Sequence, residues 1–430
     1  MSSVSRNVKK RLDTAISEIS KTPEKFVKNP QKDFTRNRKL SLETTIRVIL
    51  SMGGNSLPAE LLDYFEYSAE TPTSSAFIQA RHKILPSAFQ TIFRKFILPA
   101  KHVKKYCGYR VFAHDGSDVN LPSNRDDADT HQGNGVNLLH LNAFYDVLNK
   151  VYLNADLQGK LKTDERASLV SMVENAHFPD KTIVLGDRGY ESCNVFAHLD
   201  NKGLKFVIRA KDVNSKGLLS KLELPKTNEF DVDVQFWLSR QQTKEVKANP
   251  DIKLLSSSSK FDFLPPKSKE LYEMNFRVVR IKLAENTYET LVTNLCRNAF
   301  PASAFKELYH MRWGVETSFR ELKYAIGLCH LHAKTKDFIE QEIFARLIMY
   351  NFCMMIACQI ALRKKRTKWG YQVNFTRAIE ICRYFFNFSG RSPPDVEALI
   401  AKHILPIREN RVDKRNLKPK SFVSFIYRVA

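Results

Sequence analysis

The chain changes texture at about residue 109, and that change limits the folds open to it. Upstream, no stretch alternates apolar and polar residues as a half-buried strand would. Residues 11–20 are amphipathic at helical spacing. Residues 42–52 follow Ser41, a residue type suited to capping a helix, with Glu43 in the first turn. Residues 58–67 and 75–85 give further helices, separated by Thr71-Pro72-Thr73. Downstream, short apolar runs end in turn residues. Tyr109 to His114 is a β run that stops at Asp115. Residues 138–148 and 151–157 read as paired strands joined at Asn149-Lys150. Residues 164–176 form a helix, 182–185 a strand ending at Gly186-Asp187, 192–202 a helix stopped by Gly203, and 205–210 a strand. Hairpin-like strands followed by alternating helix and strand predict an α/β fold, a mixed sheet flanked by helices.

From residue 211 to 289 the pattern turns to alternation in 231–240 and 276–283, with loop material at 256–259 and Pro265-Pro266. This predicts a β-rich insertion, after which 290–294 returns to the main sheet. Pro301 then opens a helix running to about Gly327, with proline in its first turn. A second long helix, apolar enough to be buried, is expected over 337–365, and the last sixty or so residues read as helical and basic. No apolar run approaches the ~18 residues of a membrane span. Residues 1–11 lack the apolar centre of a secretory signal, so a cytoplasmic protein is expected. The seven cysteines are scattered without a CxxC, which argues against both a disulfide framework and a zinc finger.

The net charge is +22, and a polyanionic partner is the simplest physical reason for it. The basic residues cluster in the first forty positions, at Arg363, Lys364, Lys365, Arg366 and Lys368, and in the tail from Arg408 to Arg428. Nucleic acid is therefore the expected partner.

Phosphodiester chemistry with metal needs carboxylates fixed at the ends of rigid elements, and hard divalent ions want oxygen ligands. Asp115 and Asp187 each follow an apolar strand. In open α/β sheets, ligands gather at strand ends. Aspartate at such a place also commonly starts a turn, and that reading stays open. On the helix after Pro301, Tyr309, Arg312, Glu316 and Lys323 fall within an arc of roughly 60° beside an apolar stripe. Glu316 there can hold metal while Arg312 and Lys323 neutralise phosphates. The alternative is an exposed face laced by Arg312–Glu316 and Glu316–Arg320 pairs.

The spacing Tyr309-x2-Arg312-x3-Glu316-x6-Lys323 is similar to the YREK signature of the IS4-type DDE transposases. Asp187-Arg188-Gly189-Tyr190 resembles that family's second conserved block. Residues 138–157, with Leu139-His140-Leu141 and Tyr145-Asp146-Val147-Leu148, resemble its second and third strands. The resemblance covers about residues 75–350. It implies an RNase H-like catalytic core with a β insertion between the second Asp and the Glu. It also implies that Asp115, Asp187 and Glu316 bind catalytic Mg2+ (or Mn2+). Asp118 competes for the first place; Asp115 is preferred because it directly follows the strand. Tyr309, Arg312 and Lys323 would hold DNA backbone near the element end. Tyr288 would stack on a flipped base, with Trp237 as an alternative.

The expected organisation is thus a helical basic DNA-binding domain over 1–105 and an RNase H-like catalytic domain over 106–365. The latter carries the insertion over 211–289, and a helical basic region follows over 366–430. The expected activity is metal-dependent cleavage at the ends of an insertion sequence and strand transfer into target DNA. A homodimer on DNA, associated with the nucleoid, is implied by resemblance. The rivals are a nuclease of the same core that does not join strands, and a non-catalytic DNA-binding derivative.

Overall fold

The computed structural model describes residues 3–97, 103–132, 135–213, 215, 217–360, 370–390 and 392–407. The basic cluster at 363–368 and the tail from 408 onward lie outside the described residues.

The first five helices are α1 (Ser3–Lys21), α2 (Leu42–Ser51), α3 (Leu57–Tyr64), α4 (Ser74–His82) and α5 (Ser87–Lys95). Ser41 caps α2, its hydroxyl accepting from the Thr44 amide at 3.1 Å. Val8, Leu12, Ala15, Ile16 and Ile19 make the buried stripe of α1, at the helical spacing read from the sequence.

The sheet begins with the antiparallel meander β1 (Arg110–Leu121), β2 (Asn137–Asp146) and β3 (Val151–Gly159). Next come α6 (Glu165–Asn175), β4 (Thr182–Gly186), α7 (Cys193–Asn201) and β5 (Lys205–Arg209). β4 runs parallel to β1, and β5 parallel to β4. α7 gives way to Gly203 at φ +70°, a conformation that favours glycine. The following elements are β6 (Phe230–Ser239), α8 (Lys244–Ala248), β7 (Ile252–Leu254), β8 (Leu271–Ala284) and β9 (Thr287–Thr293).

The strand order is β3-β2-β1-β4-β5-β9-β8-β6-β7. The first five strands stand in the RNase H-like arrangement. The β-rich insertion does not stand apart as its own subdomain. The return to the main sheet expected at 290–294 is β9, which pairs antiparallel with β5 through Val207 and Thr293, and the insertion's β8, β6 and β7 extend the same sheet from it. That pairing satisfies backbone groups that would otherwise line an open edge.

Helices α9 (Ala304–His310) and α10 (Trp313–Arg320) occupy the stretch read as one helix from Pro301. A turn at Met311 and Arg312 separates them, and the path widens to a π-helix over Glu321–Ala325 before Gly327. Such widenings often occur at functional sites. α11 (Lys336–Ala357) is buried almost throughout. β10 (Gly370–Val373), α12 (Phe375–Asn387), α13 (Val396–Lys402) and β11 (Ile404–Ile407) complete the described chain. β10 and β11 pair as a two-stranded ribbon, an addition to the helical C-terminal region read from the sequence.

Strand alternation sends side chains to two cores. Val111, Ala113, Ile183, Leu185, Val279, Ile281 and Leu291 face α9, α10, α11 and the N-terminal helices. Phe112, Phe144, Val184, Phe206, Val278 and Val292 face α6 and α7. The N-terminal helices share the first core with α11, so the boundary near 105 does not separate two cores. Arg81 on α4 crosses that contact. Its guanidinium donates to Gln341 Oε1 at 2.9 Å, Glu342 Oε1 at 2.7 Å and the Phe338 carbonyl at 2.6 Å. Among the described residues, no helix is long and apolar enough to cross a membrane.

Candidate active site

β1 and β4 pair in parallel as far as Ala113 and Leu185. Asp115 and Asp187 each lie two residues further along neighbouring strands. By alternation, both share the face of Ala113 and Leu185, the face that α9 and α10 cover. β1 is longer than its apolar run suggested. It continues to Leu121 paired only with β2, so Asp115 sits inside the strand rather than at its end.

The Asp115 carboxylate accepts from the Gly116 amide at 2.9 Å. Burial pushes its pKa up to about 6. The Gly116 amide and Arg312 work against that rise, and the neighbouring charges of Asp187 and Glu316 add to it. Asp187 accepts from the Gly189 amide at 2.7 Å and caps the short turn Arg188–Tyr190. The turn reading of Asp187 is thus correct, and it is compatible with a place beside Asp115.

Arg312 lies between β1 and Glu316. Its Nη2 donates to Glu316 Oε1 at 2.7 Å, and its Nη1 stands 3.8 Å from Asp115 Oδ2. The residue is 6% exposed, and its Nε has no hydrogen-bond partner. The guanidinium stands 4.9 Å from the Trp313 ring and 5.9 Å from the Tyr309 ring. Tyr309 is buried, which raises its hydroxyl pKa; the charges of Arg312, Glu289, Arg209 and Asp187 also act on it. Lys323 lies in the π-helical segment. Burial lowers its ammonium pKa, with Cys329 and Asp118 acting against that effect.

Asp118 is engaged elsewhere. Its Oδ1 lies 2.6 Å from His140 Nδ1 and 2.9 Å from Lys160 Nζ. Its pKa falls to about 2, chiefly through the His140 hydrogen bond; burial opposes the fall and Lys160 assists it. Of the two aspartates, Asp115 is the one left facing α10.

Tyr288 and Trp237 are not brought to this place. Tyr288 shares a strand face with Val292, on the α6–α7 side of the sheet, with the Arg280 guanidinium 4.7 Å from its ring. One residue's difference in parity separates it from Glu289, which does face Arg312. Trp237 lies on β6, beyond β9 and β8 from β5.

Three features were not singled out from the sequence. Trp313 is 48% exposed beside Arg312. Glu289 is buried and paired to Arg209 at 3.3 Å. His140 is held between Asp118 and Glu165. Only the last left a trace in the sequence, since antiparallel register sets His140 opposite Asp118.

Among the described residues, no three carboxylate, histidine or cysteine side chains converge to metal-ligand distance. The donor set nonetheless suits a hard divalent ion. It offers carboxylate oxygens, and the raised Asp115 pKa marks a spot where added positive charge is favoured.

A mixed sheet in this strand order, with aspartates on β1 and just past β4 beneath an Arg at a helix junction and a helical Glu, fits a class. It is that of metal-dependent enzymes of RNase H-like fold that cut and join nucleic acid. Within that class, residues 106–352 match the family model for the transposase DDE domain, and the chain belongs to that family. It is similar to the transposase InsG for insertion sequence element IS4 of Escherichia coli (strain K12), with 23% identity over 368 residues. That alignment covers 80% of this chain and 76% of the relative. Among solved structures, it resembles the piggyBac transposase in its synaptic complex with hairpin DNA. There the TM-score is 0.43 and the identity 9%, over 96% of this chain and 85% of that one.

Proposed function

We propose that Asp115, Asp187 and Glu316 are the metal-binding triad of this transposase, and that Mg2+, with Mn2+ as a substitute, is its ion. The observation that carries this reading is Arg312, whose guanidinium holds Glu316 Oε1 at 2.7 Å and stands 3.8 Å from Asp115 Oδ2, which brings the helical carboxylate to the strand one. A divalent ion bound there supplies activation of the attacking oxygen and stabilisation of the leaving one. Arg312 is placed to grip phosphate oxygens of the scissile strand, its planar fork suited to two of them at once. The Trp313 and Tyr309 rings lie 4.9 and 5.9 Å from that fork. Lys323 extends the contact along the backbone.

The first cut frees a 3′-hydroxyl at the element end. That hydroxyl then attacks a phosphodiester of target DNA, forming one P–O bond as another breaks. The N-terminal helices contribute duplex binding. Lys32, Arg36, Arg38, Lys39 and Lys83, against Glu70 alone, line a groove of about 730 Å³. The enzyme acts on paired ends as a homodimer, at the nucleoid.

The test takes Asp115→Asn, Asp187→Asn and Glu316→Gln. Each should abolish strand cleavage while end binding stays measurable. Near wild-type cleavage in any one of them removes that residue from the triad. Joining of a precut end by the wild type separates a transposase from a nuclease of the same core.

A further inference from the structure

On the far side of the sheet from Arg312, His140 is 3% exposed. Its Nδ1 lies 2.6 Å from Asp118 Oδ1, and its Nε2 lies 2.9 Å from Glu165 Oε1. The second approach is a charge contact rather than an aligned hydrogen bond. Gly116, next to Asp115, packs directly on the ring. A Cβ there would overlap Nε2 and stand 3.1 Å from Glu165 Oε1. Burial alone would lower the imidazole pKa, but the two carboxylates outweigh it and raise it to about 9. The other titratable groups around the ring are Lys160, which also holds Asp118, and His114, whose pKa burial and the His140 charge lower to about 3, so that it stays neutral. Lys323, in the π-helical segment, is within reach of the Asp118 charge.

The position of this cluster gives it a consequence for the site. Beyond Ala113, β1 has lost β4 as a neighbour, and β2 alone holds the stretch carrying Asp115. Glu165 is the first residue of α6, and the next residue binds the turn that Asp187 caps. Arg166 Nε donates to the Gly189 carbonyl at 2.6 Å. One helix terminus therefore reaches Asp187 through Arg166 and Gly189, and β1 through Glu165 and His140.

We infer that His140 is a positioning residue for DNA cleavage, its two-sided ion pair with Asp118 and Glu165 setting the spacing between Asp115 and Asp187. This rests on the triad reading above. Without the imidazolium, the Asp118 and Glu165 carboxylates lose the cation they share, and the part of β1 beyond Ala113 loses its link to α6.

The experiment uses the full chain carrying His140→Gln, Glu165→Gln or Asp115→Asn. Mn2+ binding is read by paramagnetic resonance without DNA. Single-turnover end cleavage is titrated with Mg2+, and metal-free end binding and the thermal midpoint are recorded alongside. His140→Gln and Glu165→Gln should each weaken Mn2+ binding by about tenfold, as loss of an outer-shell partner does. Half-saturation in Mg2+ should rise in parallel, with end binding unchanged and the cleavage rate restored at high metal. Glu165 is 40% exposed at its side chain, so its variant decides the matter if the buried histidine cannot be replaced without unfolding. A lower thermal midpoint with unchanged metal dependence in both variants would reduce the cluster to packing and overturn the inference. If Asp115→Asn loses Mn2+ while the other two keep wild-type affinity, the clamp fails and the triad stands. If Asp115→Asn itself binds Mn2+ normally, the triad reading fails and takes the clamp with it.

Discussion

Asp115→Asn should stabilise the metal-free protein at neutral pH while abolishing its activity. The folded-state pKa of Asp115 is about 6, against 3.8 for the ordinary side chain. The sign follows from proton counting. Between those two values the folded chain holds a proton that the unfolded chain has released, so stability falls as pH rises through that window. Above pH 6 the ionised carboxylate costs the fold about 3 kcal/mol, from a difference of roughly two pH units at 1.36 kcal/mol each. At pH 4.5 the same linkage leaves a cost of about 1 kcal/mol. Asparagine keeps the volume and can still accept from the Gly116 amide, so the charge is the main thing removed. Urea unfolding of both proteins in chelator, at pH 7 and pH 4.5, reads the effect directly. The variant should be the more stable at pH 7, and its advantage should shrink at pH 4.5. An advantage that is absent, or that does not change with pH, would show that Asp115 is not held in the unfavourable field described here. Adding Mn2+ should stabilise the wild type and leave the variant where it was.

Arg312→Ala and Lys323→Ala should slow single-turnover cleavage far more than they weaken end binding, because the rest of the basic surface still holds the duplex. Arg312→Lys should also be impaired, since an ammonium cannot reproduce the fork between Glu316 and a phosphate. Paired replacement of Arg36 and Arg38 by alanine should lower the slope of log affinity against log salt by about 2, with sequence preference retained. Arg81→Met should cost about 3–5 kcal/mol in unfolding experiments, because it leaves Glu342 buried without its partner.

Periodicity was enough to find the strands and helices of the central sheet, because each is amphipathic at its own period and ends at a recognisable turn. It failed where pairing, rather than pattern, decides the structure. The alternating runs of 231–240 and 276–283 look the same whether they form a separate unit or lengthen an existing sheet. The return of 290–294 to the sheet is met by β9 on β5, but that β8, β6 and β7 then add to β9 rather than pack apart is set by pairing, and no single residue announces it. The helix after Pro301 likewise kept its face but lost its continuity. Of its apolar stripe, Leu308, Val315, Phe319, Leu322 and Ile326 are buried and Met311 is half-buried at the break, while the turn at Met311 and Arg312 and the π-helical segment leave no mark in composition.

The site follows the same division. An aspartate directly after an apolar run is a place that sequence can define, and the pairing of β1 with β4 then puts Asp115 and Asp187 side by side on one face. The choice between Asp115 and Asp118 was made because Asp115 directly follows the apolar run, yet the strand runs on through both residues. The physical distinction is parity. The two aspartates are three positions apart, an odd offset, so one must face α10 and the other α6. The same parity turns Tyr288 away and presents Glu289 to Arg312. Strand parity can be read from a sequence once the strand's true length is known. That length depends on β2, which supports β1 for eight residues past Ala113, the last position that β4 supports. A strand paired on one side only, with three carboxylates on one face and a charged histidine behind it, is less stable than a strand enclosed on both sides.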